Sequence, residues 1–221
     1  MALLLNGANQ YAQIMEGLFS TEPVLCMAWF KSSSQTANQR ILTIFNSSNN
    51  RGFAMGIDGA GGDRVNALKS SSTGAQDQAN SSAAYVANQW QLGMAEFLSS
   101  TSRNAFLNGA SKGVNTTSVG AASPNRTYIG RGSSADFFVG QLAELAIWFG
   151  EIPSDDQKMA MYMDQLSPLF FPQGLQHYWP LIDSYADVIG GKFIDPIGSP
   201  TFVEHPEIHR PRRLAARITG L

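Results

Sequence analysis

The sequence predicts an all-β protein folded as a β-sandwich, and three observations carry that expectation. Short apolar runs alternate with turn residues along most of the chain. Charged residues are only 14% of the total, against 21 glycines and abundant Ser, Asn and Thr, which suits neutral turns between strands. Hydrophobic residues reach 43%, ample for a core in 221 residues, a length at which one sandwich often folds as a single unit.

Strands are expected at Ala2–Leu5, Tyr11–Met15, Val24–Phe30, Ile41–Asn46, Phe53–Ile57, Val65–Lys69, Trp90–Leu98, Asn104–Leu107, Thr127–Ile129 and Phe137–Phe149. Phe53, Met55 and Ile57 share one face of their run. In Gln141–Trp148, simple alternation sets Leu142, Glu144, Ala146 and Trp148 on one face and Ala143, Leu145 and Ile147 on the other. Two such faces call for a second layer. Asn46–Gly52 and Asp58–Asp63 are loops by residue type, and Asn108-Gly109 is a tight turn because both residues tolerate positive φ. The neutral stretch 70–85 reads as a long loop or binding rim.

One helix is signalled. Ser154 and Gln157 form a capping box, Asp155 and Asp156 suit the helix dipole, and Asp155–Leu166 carries a stripe of Met159, Tyr162, Met163 and Leu166 expected to pack on a sheet. Pro168 stops it. Another strand follows in Gly174–Ile182. Pro196, Pro200, Pro206 and Pro211 then favour an extended arm. The chain therefore divides into a sandwich, residues 1–185, and a Pro/Arg-rich arm, residues 186–221.

The net charge of −2 gives no pull toward nucleic acid, yet Arg210, Arg212, Arg213 and Arg217 lie in a terminus without acids. That basic end is either a solvated tail or a contact for an acidic surface. No apolar run is long enough to span a membrane. Cys26, the single cysteine, reads as a small buried hydrophobe, so no intrachain disulfide is expected. Met1–Gly7 has no basic n-region, so synthesis in a cytoplasm without a signal peptide is expected.

Six segments occur in a telling order: Leu5–Tyr11, Val24–Phe30, Trp90–Glu96, Asn104–Gly109, Tyr128–Arg131 with Phe138–Trp148, and the capped helix after Ile152-Pro153. This order resembles the laminin-G-like jelly roll of the concanavalin A-like lectin/glucanase superfamily, over about residues 2 to 165. The resemblance implies a jelly-roll sandwich with one short helix, and Trp29, Phe30, Trp90 and Trp148 filling the layer between its sheets.

Superfamily glucanases set paired carboxylates at alternate positions of one strand, about 5–5.5 Å apart for retaining hydrolysis. Here Glu144 and Glu96 each stand alone, so no catalytic residue is assigned. Asp58, Asp63 and Asp77 fall in loop contexts without a spacing that fixes calcium, and Ala143 replaces the family's usual acid. His205-Pro-Glu-Ile-His209 lies in a Pro-rich context that denies its histidines a shared helical face. No metal or cofactor is expected.

Two functional readings follow. In the first, the chain is a non-enzymatic virion component, a capsid decoration or tail-associated protein, because the domain plus its His205–Arg213 tail resembles bacteriophage and prophage proteins. It would join other virion proteins, within an oligomer or larger assembly, through Arg210, Arg212, Arg213 and Arg217. The alternative is a lectin-like carbohydrate-binding module for host-surface glycans, with Tyr85 and Trp90 stacking on sugar rings.

Overall fold

The apolar runs pair as antiparallel strands in the computed structural model, which describes residues 1–33 and 37–211. In chain order these are β1 (Ala2–Asn6), β2 (Tyr11–Ile14), β3 (Val24–Ser32), β4 (Gln39–Asn46), β5 (Arg51–Asp58), β6 (Arg64–Ser70), β7 (Gln76–Asn80) and β8 (Gln91–Ser99). Then come β9 (Ser102–Leu107), β10 (Gly113–Asn115), β11 (Arg126–Ile129), β12 (Val139–Phe149), helix α1 (Asp155–Met163), β13 (Leu175–Trp179), β14 (Asp195–Ile197) and β15 (Thr201–Val203). One sheet runs β10-β9-β8-β3-β12-β1-β15, with β13 also on β12. The other runs β14-β2-β11-β4-β5-β6-β7.

Both faces of the central strands β3, β8 and β12 of the first sheet are buried. On β3, Val24, Cys26, Ala28 and Phe30 enter the core between the sheets, where they meet Ile44, Met55, Val65 and Ile129. The alternate residues Leu25, Met27 and Trp29 enter a second core on the opposite face, with Phe106, Trp148 and Tyr178. That core is covered by Met161 of α1 and by Leu169, Phe171 and Ile208 of the C-terminal segment. The molecule is thus a sandwich with a third, partial layer. Trp29 and Trp148 lie outside the inter-sheet layer, and Phe30 alone of the four expected aromatics occupies it.

The phase of β12 explains part of this difference. Its partners on β3 step from Ala143↔Trp29 to Ala146↔Met27, so β12 carries one extra residue. Glu144 takes a left-handed conformation there, with φ 54°. Leu142 before the bulge and Leu145 and Ile147 after it all face the inter-sheet core. Ala143, Ala146 and Trp148 face the second. Simple alternation fails at this point because the bulge absorbs one residue.

Three other expectations change. The stretch 70–85 contains β7, paired in register with β6; its polar residues hid it, since Ala79 alone is fully buried there. Helix α1 keeps its capping box but buries Lys158 and Met161, leaving Met159 and Met163 exposed. It ends at Met163, with Pro168 opening a short 3-10 turn. Finally, the segment expected to be an arm adds edge strands to both sheets, β14 on β2 and β15 on β1, so the sandwich continues to Val203. Pro196 is tolerated because β14 is an edge strand.

Candidate functional site

An open cleft of about 370 Å³ lies where α1, the start of β8 and the C-terminal segment meet. It is lined by Trp29, Trp90, Tyr162, Met163, Gln165, Pro206 and Glu207. Trp29 projects from β3 toward α1, and Tyr162 stacks on it with ring centroids 5.9 Å apart and planes 25° from parallel. Trp29 is itself buried, and its indole N–H has no hydrogen-bond partner among the described residues. Trp90, immediately before β8, and Tyr162 are half-buried, while Met163 and Glu207 are exposed.

Two buried ion pairs hold the walls. Beneath α1, the Lys158 ammonium binds Glu96 of β8, lies 2.9 Å from Asp155 Oδ1 and sits 4.5 Å from the Phe106 ring centroid. Asn104 Nδ2 donates to the second Glu96 oxygen at 2.5 Å. The Lys158 and Glu96 side chains are only 2% and 4% exposed, so this charge pair fixes the helix together with the buried Met161.

On the other wall, Arg210 binds the fully buried Glu144 carboxylate at the β12 bulge. Tyr178 Oη donates to Glu144 Oε2 at 2.5 Å, and His205 Nε2 lies 3.2 Å from Oε1. Burial and the Glu144 charge push the Tyr178 hydroxyl well above the ordinary tyrosine range. Burial acts to lower the Arg210 guanidinium, but Glu144 and Tyr178 outweigh it and raise it. Backbone bonds complete the attachment: His209 N–H donates to Gln165 O at 2.8 Å, and Ser167 N–H to His209 O at 2.9 Å. Pro206 and Glu207 thereby become a wall of the cleft.

A second recess, about 230 Å³, lies on the other sheet between Arg40, Thr43, Ala54, Ser70, Gln76 and the 132–136 loop. Arg40 and Asp136 approach to 3.6 Å across it, and burial lowers the Arg40 guanidinium. Its one aromatic lining residue besides Phe53 is Phe45, and both rings are buried. It offers no open ring face to stack on.

The sequence-derived candidates separate accordingly. Trp90 reaches the cleft. Tyr85 is 2% exposed and packs edge-on against Phe30 in the inter-sheet core, so it presents no surface to a glycan. Arg210 turns inward onto Glu144; Arg212, Arg213 and Arg217 lie outside the described residues. No local sequence signal points to the other lining residues: β3–β8 pairing brings Trp29 to Trp90, and the return of the C-terminal segment brings Pro206 and Glu207. Glu96 and Glu144, the two strand carboxylates weighed for catalysis, are both buried in ion pairs. Among the described residues no group of three or more His, Cys, Asp or Glu is placed to hold a metal ion.

Comparison with known proteins agrees with this architecture. No curated protein matches the sequence. A Bacteroides ovatus protein described provisionally as carbohydrate-binding superposes with a TM-score of 0.66 at 15% identity, over 90% of this chain and 58% of that one. This protein thus spans little more than half the length of that neighbour. Domain 4 of AbnA, an extracellular arabinanase from Geobacillus stearothermophilus solved with arabinotriose, gives 0.57 at 16% identity over 73% of this chain and 76% of that one. The heptameric SAP-like pentraxin of Limulus polyphemus gives 0.57 at 14% identity, over 73% and 81%. At such identities these likenesses speak for the fold alone. The Laminin_G_3 family model, described as the concanavalin A-like lectin/glucanases superfamily, matches residues 6–156, more than half of the chain, and the chain belongs to that superfamily.

Proposed function

We propose that this protein is a lectin-like module that binds carbohydrate in the cleft between α1, β8 and the C-terminal segment. The carrying observation is the meeting of Trp90 and Tyr162, two half-buried rings from distant parts of the sequence, in one open cleft. Aromatic faces stack on the apolar C–H faces of sugar rings, while Gln165 and Glu207 offer hydrogen-bonding groups beside them. We read the module as non-catalytic, since Glu96 and Glu144 are committed to buried ion pairs. Screening the protein on a glycan array tests this reading. Binding that falls about tenfold or more in Trp90→Ala supports it. Array binding that Trp90→Ala leaves unchanged contradicts it.

A second reading, incorporation into a virion as a capsid- or tail-associated component, draws on the Arg212, Arg213 and Arg217 terminus, which contains no acid. With Arg210 occupied by Glu144, the attachment would fall to those three arginines. Deleting residues 212–221 separates the readings: loss of particle incorporation with glycan binding intact supports the second, and normal incorporation argues against it.

A further inference from the structure

We propose that the cleft selects ligands bearing an ammonium group, such as a hexosamine with a free amine, over carboxylate-bearing sugars. The inference rests on the glycan reading of the same cleft and adds the charge of its ligand. Among the described residues, Glu207 is the one ionisable acid or base lining the cleft apart from the Tyr162 phenol, and it is exposed. Among the described residues no Lys, Arg or His lines it. The two cations that brace its walls are already paired, Lys158 with Glu96 and Asp155, and Arg210 with Glu144.

The remaining lining favours the same sign of charge. Trp90 and Tyr162 present half-buried rings, and a ring's negative face attracts an alkylammonium. Gln165 supplies a carbonyl acceptor and Met163 a polarisable sulfur. An ammonium donor meets the Glu207 carboxylate, the Gln165 carbonyl and the Trp90 and Tyr162 rings. A uronate carboxylate meets Glu207 and those same faces, all of them unfavourable, with no cation among the described lining residues to receive it.

The test measures tryptophan fluorescence and calorimetric titration at pH 6 with four probes: chitosan tetraose, its fully N-acetylated counterpart, tetragalacturonate and choline chloride. The expected order is chitosan tetraose about three- to tenfold tighter than the N-acetylated chain, as a partly exposed cation–π and carboxylate site provides, with tetragalacturonate weakest. Glu207→Gln, a surface change that leaves both ion pairs intact, should erase the preference for the amine. Equal binding of the two tetraoses, tighter binding of tetragalacturonate, or an unchanged preference in Glu207→Gln would overturn the inference. Choline binding sensitive to Trp90→Ala, with no sugar bound, upholds the ammonium selectivity and overturns the glycan reading. Absence of both choline and chitosan binding overturns the ammonium inference, whatever neutral glycans do.

Discussion

Arg210 closes the C-terminal segment onto Glu144, a carboxylate that the left-handed bulge of β12 aims into the second core. The contact joins residues 66 positions apart and fixes the segment that carries Pro206 and Glu207. Removing one partner leaves the other charge buried with only part of its hydrogen bonding. Arg210→Ala should therefore lower the unfolding free energy by about 3 kcal/mol in urea titration. The paired change Glu144→Gln with Arg210→Met should cost distinctly less, because it removes both charges together. A larger loss in the double variant would contradict this account.

The helix depends on a second pair in the same way. Lys158→Met leaves Glu96 uncompensated beside Asn104, with an expected loss of about 3 kcal/mol in chemical denaturation. Changing Glu96→Gln in the Lys158→Met background should recover part of that loss. Met163→Ser, which alters an exposed residue, should stay within about 0.5 kcal/mol of the native protein.

Acid stability should report on Asp187. Burial alone would raise its carboxyl, but hydrogen bonds from His177 and from the backbone N–H groups of Tyr178, Gly190 and Ile189 outweigh burial and hold it below the usual carboxylate range. With a folded value below the unfolded one, its contribution is complete above the unfolded range, near ~3.9, and is lost as pH falls through the folded value. Thermal midpoints measured from pH 6 to pH 2 should fall on the acid side. Asp187→Asn should be less stable near neutrality and show a flatter acid limb. An acid limb as steep as that of the native protein would count against Asp187 as its source.

Cys26 gives a prediction on reactivity. It is 2% exposed between the sheets, and burial pushes its thiol far above the ordinary range, which suppresses the nucleophilic thiolate. A chromogenic disulfide reagent should leave it untouched in the native state at pH 8 and modify it on unfolding. Rapid native-state labelling would place it elsewhere.

The fold was legible because its signals are local and repeated: the Asn108-Gly109 turn takes φ values of 58° and 70°, and Ser154 and Gln157 form the capping box their spacing implies. What escaped the sequence depends on tertiary context. A left-handed bulge position usually advertises itself with glycine, yet Glu144 occupies this one, its carboxylate held by Arg210, Tyr178 and His205. Lys158 has the composition of a surface residue and lies in the core because Glu96 waits beneath the helix. Trp90 could be named from sequence as a stacking candidate, but strands β8 to β12 separate it from Tyr162 and strands β8 to β15 from Glu207. Tyr85 shared the same loop context, and nothing local revealed that it packs on Phe30.

The most direct test of the central claim follows the indole N–H signals of Trp29 and Trp90 by NMR during titration with an oligosaccharide that the glycan array identifies. The account predicts saturable shifts at both indoles and at the Gln165 side-chain amide, lost in Trp90→Ala. Shifts confined to Arg40, Gln76 and the 132–136 loop on the opposite sheet, with the indoles unmoved, would contradict it.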